Sequence, residues 1–208
     1  MTVPRPLLSD GDRARIRQAV AAAEARTSGE IFTVVAEECD DYRFIPLLWA
    51  TLAALIVPLP LIFLTLWPAS LIWLTQLAAF AVLAVGFSLP AVRPVVVPRR
   101  IKRETARALA VQQFLAHGLH TTEARTGVLI FVALAEHHAE IIADTGIAAK
   151  VDAAAWQGAM DRLVGEVGAG RLADGLIAAI ESTGAVLARH FPPRAGDRNE
   201  LSNDLILL

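Results

Sequence analysis

The spacing of apolar residues changes period several times along this chain, and each change marks an element. Behind Ser9, Asp10 and Asp12, the residues Ile16, Ala19, Val20 and Ala23 recur at helical intervals. They predict a helix over about 10–26 with a capped start and one narrow apolar stripe. Thr27-Ser28-Gly29 stops it, and Glu30 to Ala36, EIFTVVA, reads as a mostly buried strand. Helical spacing returns over Arg99–His117, with His117-Gly118 as its end. Val128–Leu134, VLIFVAL, is the strongest strand pattern, and Ala139–Ala143 follows it across a polar turn. Two further helices are predicted over about 152–167 and 172–191, striped by Trp156, Met160, Leu163 and Val167 and by Leu176, Ile177, Ile180, Gly184 and Leu187. The tail from Pro192 is loop-like, and Leu205–Leu208 suits a short edge strand.

Between the first strand and the second long helix the pattern disappears into continuous hydrophobicity. Phe44 to Val92 contains no charged residue. Pro46–Leu66 and Leu71–Pro90 are each long enough, as helices, to cross a hydrocarbon core of about 30 Å. Trp67-Pro68-Ala69-Ser70 between them is a turn, because proline rejects the preceding helical conformation. Pro58 and Pro60 should kink the first span. The expectation is a two-helix hairpin with spans near 46–66 and 71–90. Its open end carries Arg43, Arg93, Arg99, Arg100, Lys102, Arg103 and Arg107, whereas the turn carries no basic residue. By the positive-inside rule the protein is expected in the inner membrane of the cell with both termini cytoplasmic.

Composition sharpens this division. The chain has 208 residues, 55% of them hydrophobic, yet 19 basic and 21 acidic residues are crowded outside the uncharged block. Their density there is that of an ordinary soluble domain. The net charge of −2 gives no domain-wide basic excess, so nucleic acid is not an expected partner. Cys39, the one cysteine, excludes an internal disulfide and any multi-cysteine zinc motif. The first 40 residues lack the apolar run of a cleaved signal peptide. The expected organisation is 9–41 as the first part of a soluble domain, 44–92 as the hairpin, 93–191 as the second part, and 192–208 as a tail. Residues 1–41 cannot bury a core alone, so the two parts should fold as one α/β unit.

Four segments together resemble a known family. Thr27-Ser28-Gly29-Glu30-Ile31 before a valine-rich strand is similar to the opening motif of TPM domains. Thr126-Gly127-Val128-Leu129-Ile130-Phe131-Val132 resembles their central strand, and Glu140–Gly146 the strand and glycine turn that follow it. Gly170-Arg171-Leu172-Ala173-Asp174-Gly175-Leu176 resembles the start of their last helix. The resemblance implies a sandwich of helices over a small sheet. It implies phosphatase activity or divalent-ion binding by analogy with some members, and maintenance or assembly of membrane complexes by analogy with others. Thr126 and Asp144 stand where asparagine and a glycine-rich stretch are common in the family, and the hairpin interrupts the domain.

The candidate chemistry is thin. If the first two strands are parallel, their C-terminal edge should gather Glu37, Glu38, Asp40 and Asp41 with Glu136 and His137, and clustered carboxylates suit Ca²⁺ or Mg²⁺. The competing account is a solvated acidic loop facing the juxtamembrane arginines. Asp144 beside Gly146 is a further metal candidate, and Arg125 could clamp an anion; an Asp–Arg pair closing the hairpin is the simpler alternative. The HxxH of His117 and His120 is broken by Gly118. Arg99, Arg100, Lys102 and Arg103 form a basic cluster suited to anionic lipid headgroups. No nucleophile, base and orienting group converge. The reading is therefore a binding, assembly or maintenance module for a membrane protein or complex, with the bilayer and another membrane protein as partners. A divalent-metal-dependent phosphomonoesterase is the alternative.

Overall fold

The computed structural model describes residues 7–90, 92–193 and 199–208. The chain divides into two compact units, residues 1–39 with 106–208, and residues 40–105.

The first unit is built on two strands with no exposed residue. β1 (Glu30–Ala36) and β2 (Gly127–Ala133) are buried at every position and pair in parallel, Glu30 opposite Gly127 through Ala36 opposite Ala133. β3 (His138–Ala143) returns antiparallel to β2, and β4 (Ile206–Leu207) adds to the other edge, parallel to β1. The order is β3-β2-β1-β4. Because side chains alternate along a strand, the sheet has two apolar faces, and each needs a cover. Ile31, Val35, Val128, Ile130 and Val132 face a core that includes Ile16, Val20, Leu163, Leu176, Ile180 and Leu187. These come from α1 (Asp10–Glu24), α8 (Gln157–Gly168) and α9 (Leu172–His190). Phe32, Val34, Leu129 and Phe131 face the other way, against Ala106, Ala110, Phe114 and Leu119. The expected sandwich of helices on a small sheet is present.

Caps set the helix boundaries. Ser9 and Asp12 form a reciprocal capping box at the start of α1, which ends at Glu24 in tight turns instead of reaching Arg26. Asp152, expected to begin a long helix, caps a 3₁₀ turn over Ala153–Trp156, and α8 starts only at Gln157. Thr27 Oγ1 donates to Phe191 O (2.7 Å) and accepts from Gly29 N (3.1 Å), and Thr126 Oγ1 donates to Ser28 O (3.0 Å). The two threonine-glycine motifs are thus clamps that hold the start of β1 on the end of α9 and the start of β2.

The second unit is helical. α2 (Phe44–Ile56) and α3 (Pro58–Leu64) are separated only by Val57, which keeps helical dihedrals. Pro58 and Pro60 cannot donate backbone hydrogen bonds, which accounts for the interruption. α4 (Ala69–Ser88) packs on α2, whose buried positions are Pro46, Ala50 and Ala54. α5 (Arg93–Val96) is a single turn, and α6 (Arg99–Ala116) runs on into the first unit. Both apolar helices begin and end two residues earlier than the sequence suggested. Thr65 is extended and ends the first, and Pro68, also extended, caps the second.

Gly184 marks where α9 meets α1: a Cβ there would lie 2.7 Å from Ala23 Cβ. Gly165 in α8 has nothing within 4 Å of the same point. Gly184→Ala is therefore expected to destabilise by about 1–3 kcal/mol through overpacking. Gly165→Ala should stabilise by roughly 0.5–1 kcal/mol through helix propensity. Denaturant melts of the two variants in detergent check this; equal effects would contradict the packing described.

Candidate functional site

Asp144 lies at the end of β3 and is 5% exposed. Its Oδ1 accepts from Thr145 N (2.7 Å) and Thr145 Oγ1 (3.2 Å), capping α7 (Thr145–Ala148). Its Oδ2 lies 3.8 Å from Nη1 of Arg125, which is half-exposed and sits at φ +55°. A Cβ on Gly146 would meet Ala124 O and Arg125 O at 2.6 Å, so glycine lets this loop close on the cap. Cap, ion pair and glycine form one structural closure of the β2–β3 hairpin.

The carboxylates of the opposite edge are divided between the units. Glu136, in the β2–β3 turn, is buried and accepts from Cys39 N (3.0 Å), tying that turn to the end of β1. Glu37 is exposed, and its backbone N–H donates to Leu208 O (2.9 Å). Asp40 and Asp41 belong to the second unit: Asp40 Oδ1 accepts from Tyr42 N (3.3 Å), and Asp41 pairs with Arg43 at 2.6 Å. Among the described residues no group of three or more His, Cys, Asp or Glu is arranged to hold a metal ion. His117 binds Gln113 (3.2 Å) and stacks tilted on Phe32, with ring centroids 4.6 Å apart. His138 lies 3.8 Å from Glu140, which also faces Arg107 at 3.8 Å.

The basic cluster occupies the first turns of α6, where Arg99, Arg100 and Arg103 are exposed and Lys102 is half-buried. Arg100 pairs with Glu104 at 2.7 Å, one helical turn on. The remaining guanidinium groups of that turn project into solvent.

A different carboxylate pair was missed in the sequence. Glu24 and Glu30 line an open cleft of about 330 Å³ with Thr27, Asn199 and Asn203. Glu24 accepts from Ile31 N (2.9 Å) and Asn203 Nδ2 (2.8 Å), while Glu30 Oε1 accepts from Glu200 N (3.2 Å). The C-terminal segment that ends in β4 is thereby held to the start of β1. Burial, and then the neighbouring Glu30, push the Glu24 carboxyl up to about 7, against the hydrogen bonds that favour its charged form. One signal could have found it: an acidic side chain at the C-terminal end of a helix opposes the macrodipole and needs local donors.

A carboxyl raised in this way favours the folded state when protonated. Its contribution is complete below its ordinary value of 4.5 and is lost as pH rises through about 7. Glu24→Gln keeps an acceptor for Ile31 N and removes the titration. The stability difference between variant and wild type should therefore grow in the variant's favour from about pH 5 to pH 8, by at most ~3 kcal/mol. Urea melts at both pH values measure it, and a pH-independent difference would refute the raised carboxyl.

Residues 91–186 match the family model described as TPM domain. No curated protein matches the chain. Among solved structures, the NMR structure of the BA42 protein from the psychrophilic bacterium Bizionia argentinensis superposes with a TM-score of 0.64 at 19% identity, covering 100% of both chains. That likeness concerns the fold. The clamped threonine-glycine motifs and the buried parallel pair frame the stretch, residues 91–186, over which this chain is similar to TPM domains.

Proposed function

We propose that this is an integral inner-membrane protein whose apolar hairpin anchors a cytoplasmic TPM domain, and that the domain is a binding, assembly or maintenance module for a membrane protein or complex. The observation that carries the reading is the exposure of the apolar helices. Phe44–Leu64 and Ala69–Ser88 have mean hydropathies of 2.4 and 1.9, yet only 11% and 0% of their most apolar stretches are buried within the chain. A core helix of a soluble domain hides such a surface; here Phe63, Leu64 and Val82 stand more than two-thirds exposed. A bilayer satisfies that surface, and helices keep their backbone hydrogen bonds internal to it. The basic residues from Arg93 to Arg107 then favour the cytoplasmic side for the open end of the hairpin.

Reporter fusions at Ser70 and after Leu208 should report opposite sides of the membrane; matching reports would refute the topology. The role of the domain is tested by phosphomonoester turnover with calcium, with magnesium and with chelator. Turnover no higher than background is expected, since no nucleophile or base converges among the described residues. Metal-dependent turnover that is lost in Asp144→Asn would replace the binding reading with a metal-dependent phosphatase.

A further inference from the structure

The hairpin carries one strongly polar side chain that is without a partner among the described residues. Gln76 lies on α4 and lines an open groove of about 240 Å³ between α2 and α4, with Thr51, Ala54, Leu55, Trp73, Leu77 and Phe80. Among the described residues nothing donates to its carboxamide or accepts from it. The hydroxyls of Thr51 and Thr75 donate to backbone carbonyls, Leu47 O and Leu71 O (2.9 Å each). Gln76 is the eighth residue of a 20-residue helix, about 10 Å along its axis from the turn. In a bilayer this depth is hydrocarbon, where an amide without a partner is costly and water is scarce.

We infer that the α2–α4 groove is the contact surface for a second copy of this chain, joined through reciprocal Gln76–Gln76 hydrogen bonds. The inference rests on the membrane-spanning reading above. The chemistry of the side chain selects the occupant. A carboxamide carries both donors and an acceptor, so it is its own complement. In a two-fold dimer with its axis along the membrane normal, each residue near the axis meets the same residue of the other copy. A lipid tail offers neither donor nor acceptor.

The test uses the full chain in phosphatidylethanolamine–phosphatidylglycerol vesicles, with separate donor-labelled and acceptor-labelled preparations. Energy transfer should rise with protein-to-lipid ratio in the wild type. Gln76→Leu should weaken self-association about tenfold, and Gln76→Asn, which keeps the amide, should restore part of it. In a Cys39→Ser background, Gln76→Cys should form disulfide-linked dimers on oxidation of the membranes. Leu74→Cys, more than half exposed on another face of α4, should not. Flotation of each preparation with the vesicles separates the two readings. Protein that fails to float overturns the membrane reading. Protein that floats but shows no energy transfer, or transfer unchanged by Gln76→Leu, overturns the dimer and leaves the membrane reading standing.

Discussion

The parallel pairing of β1 and β2 is the constraint on which the rest of this structure depends. Neighbouring parallel strands cannot be joined by a tight turn, because the chain must travel back to the starting edge. A crossover of a dozen or more residues is the minimum; here roughly 90 residues separate Ala36 from Gly127. α6 supplies the usual crossover helix, laying Ala106, Ala110 and Phe114 on the face that carries Phe32, Val34, Leu129 and Phe131. The apolar hairpin is an insertion at the C-terminal end of β1, where loops of α/β sheets tolerate length. The domain can therefore be split in sequence by an apolar hairpin and still have one core.

That arrangement explains the residues at the opposite, N-terminal edge of the pair. Nothing in a parallel pair fixes the strand starts unless the preceding segments are held. Thr27 and Thr126 do this: Thr27 Oγ1 donates to the end of α9, Thr126 Oγ1 donates to Ser28 O, and Thr126 O accepts from Glu30 N. Asp144 N donates to Gly127 O (2.9 Å), closing the third strand on the same point. The motifs that resemble those of TPM domains are, in this chain, mostly solutions to that geometric problem. Glu24 and Glu30 sit at the same edge and hold the C-terminal segment, so that β4 shields the free side of β1.

Much of this was legible in the residues. EIFTVVA and VLIFVAL announce strands with no solvent face, and an uncharged stretch from Phe44 to Val92 announces a hairpin, because periodicity and charge act locally. Ends were less legible: the helix expected from Asp152 begins at Gln157, since Asp152 satisfies a short turn first. The carboxylates show the limit more sharply. Asp40, Asp41 and Glu136 look like one acidic group in sequence, but each is engaged by a nearby backbone N–H or arginine. Glu24 and Asn203 are nearly the whole chain apart and meet only through β4, which no local pattern encodes. The polar side chain in the hairpin, Gln76, was visible as an exception to its surroundings; its position on the groove was not.

The claim that β1 and β2 form one core independent of the inserted hairpin can be measured directly by amide hydrogen exchange. A chain in which residues 44–92 are replaced by a flexible linker is the sample. The account predicts that amides of Ile31–Val35 and Val128–Val132 exchange slowest, at one common rate set by global unfolding. Fast exchange in β1 with protection retained in β2 would show that the hairpin, and not the strand pairing, holds the first strand in place.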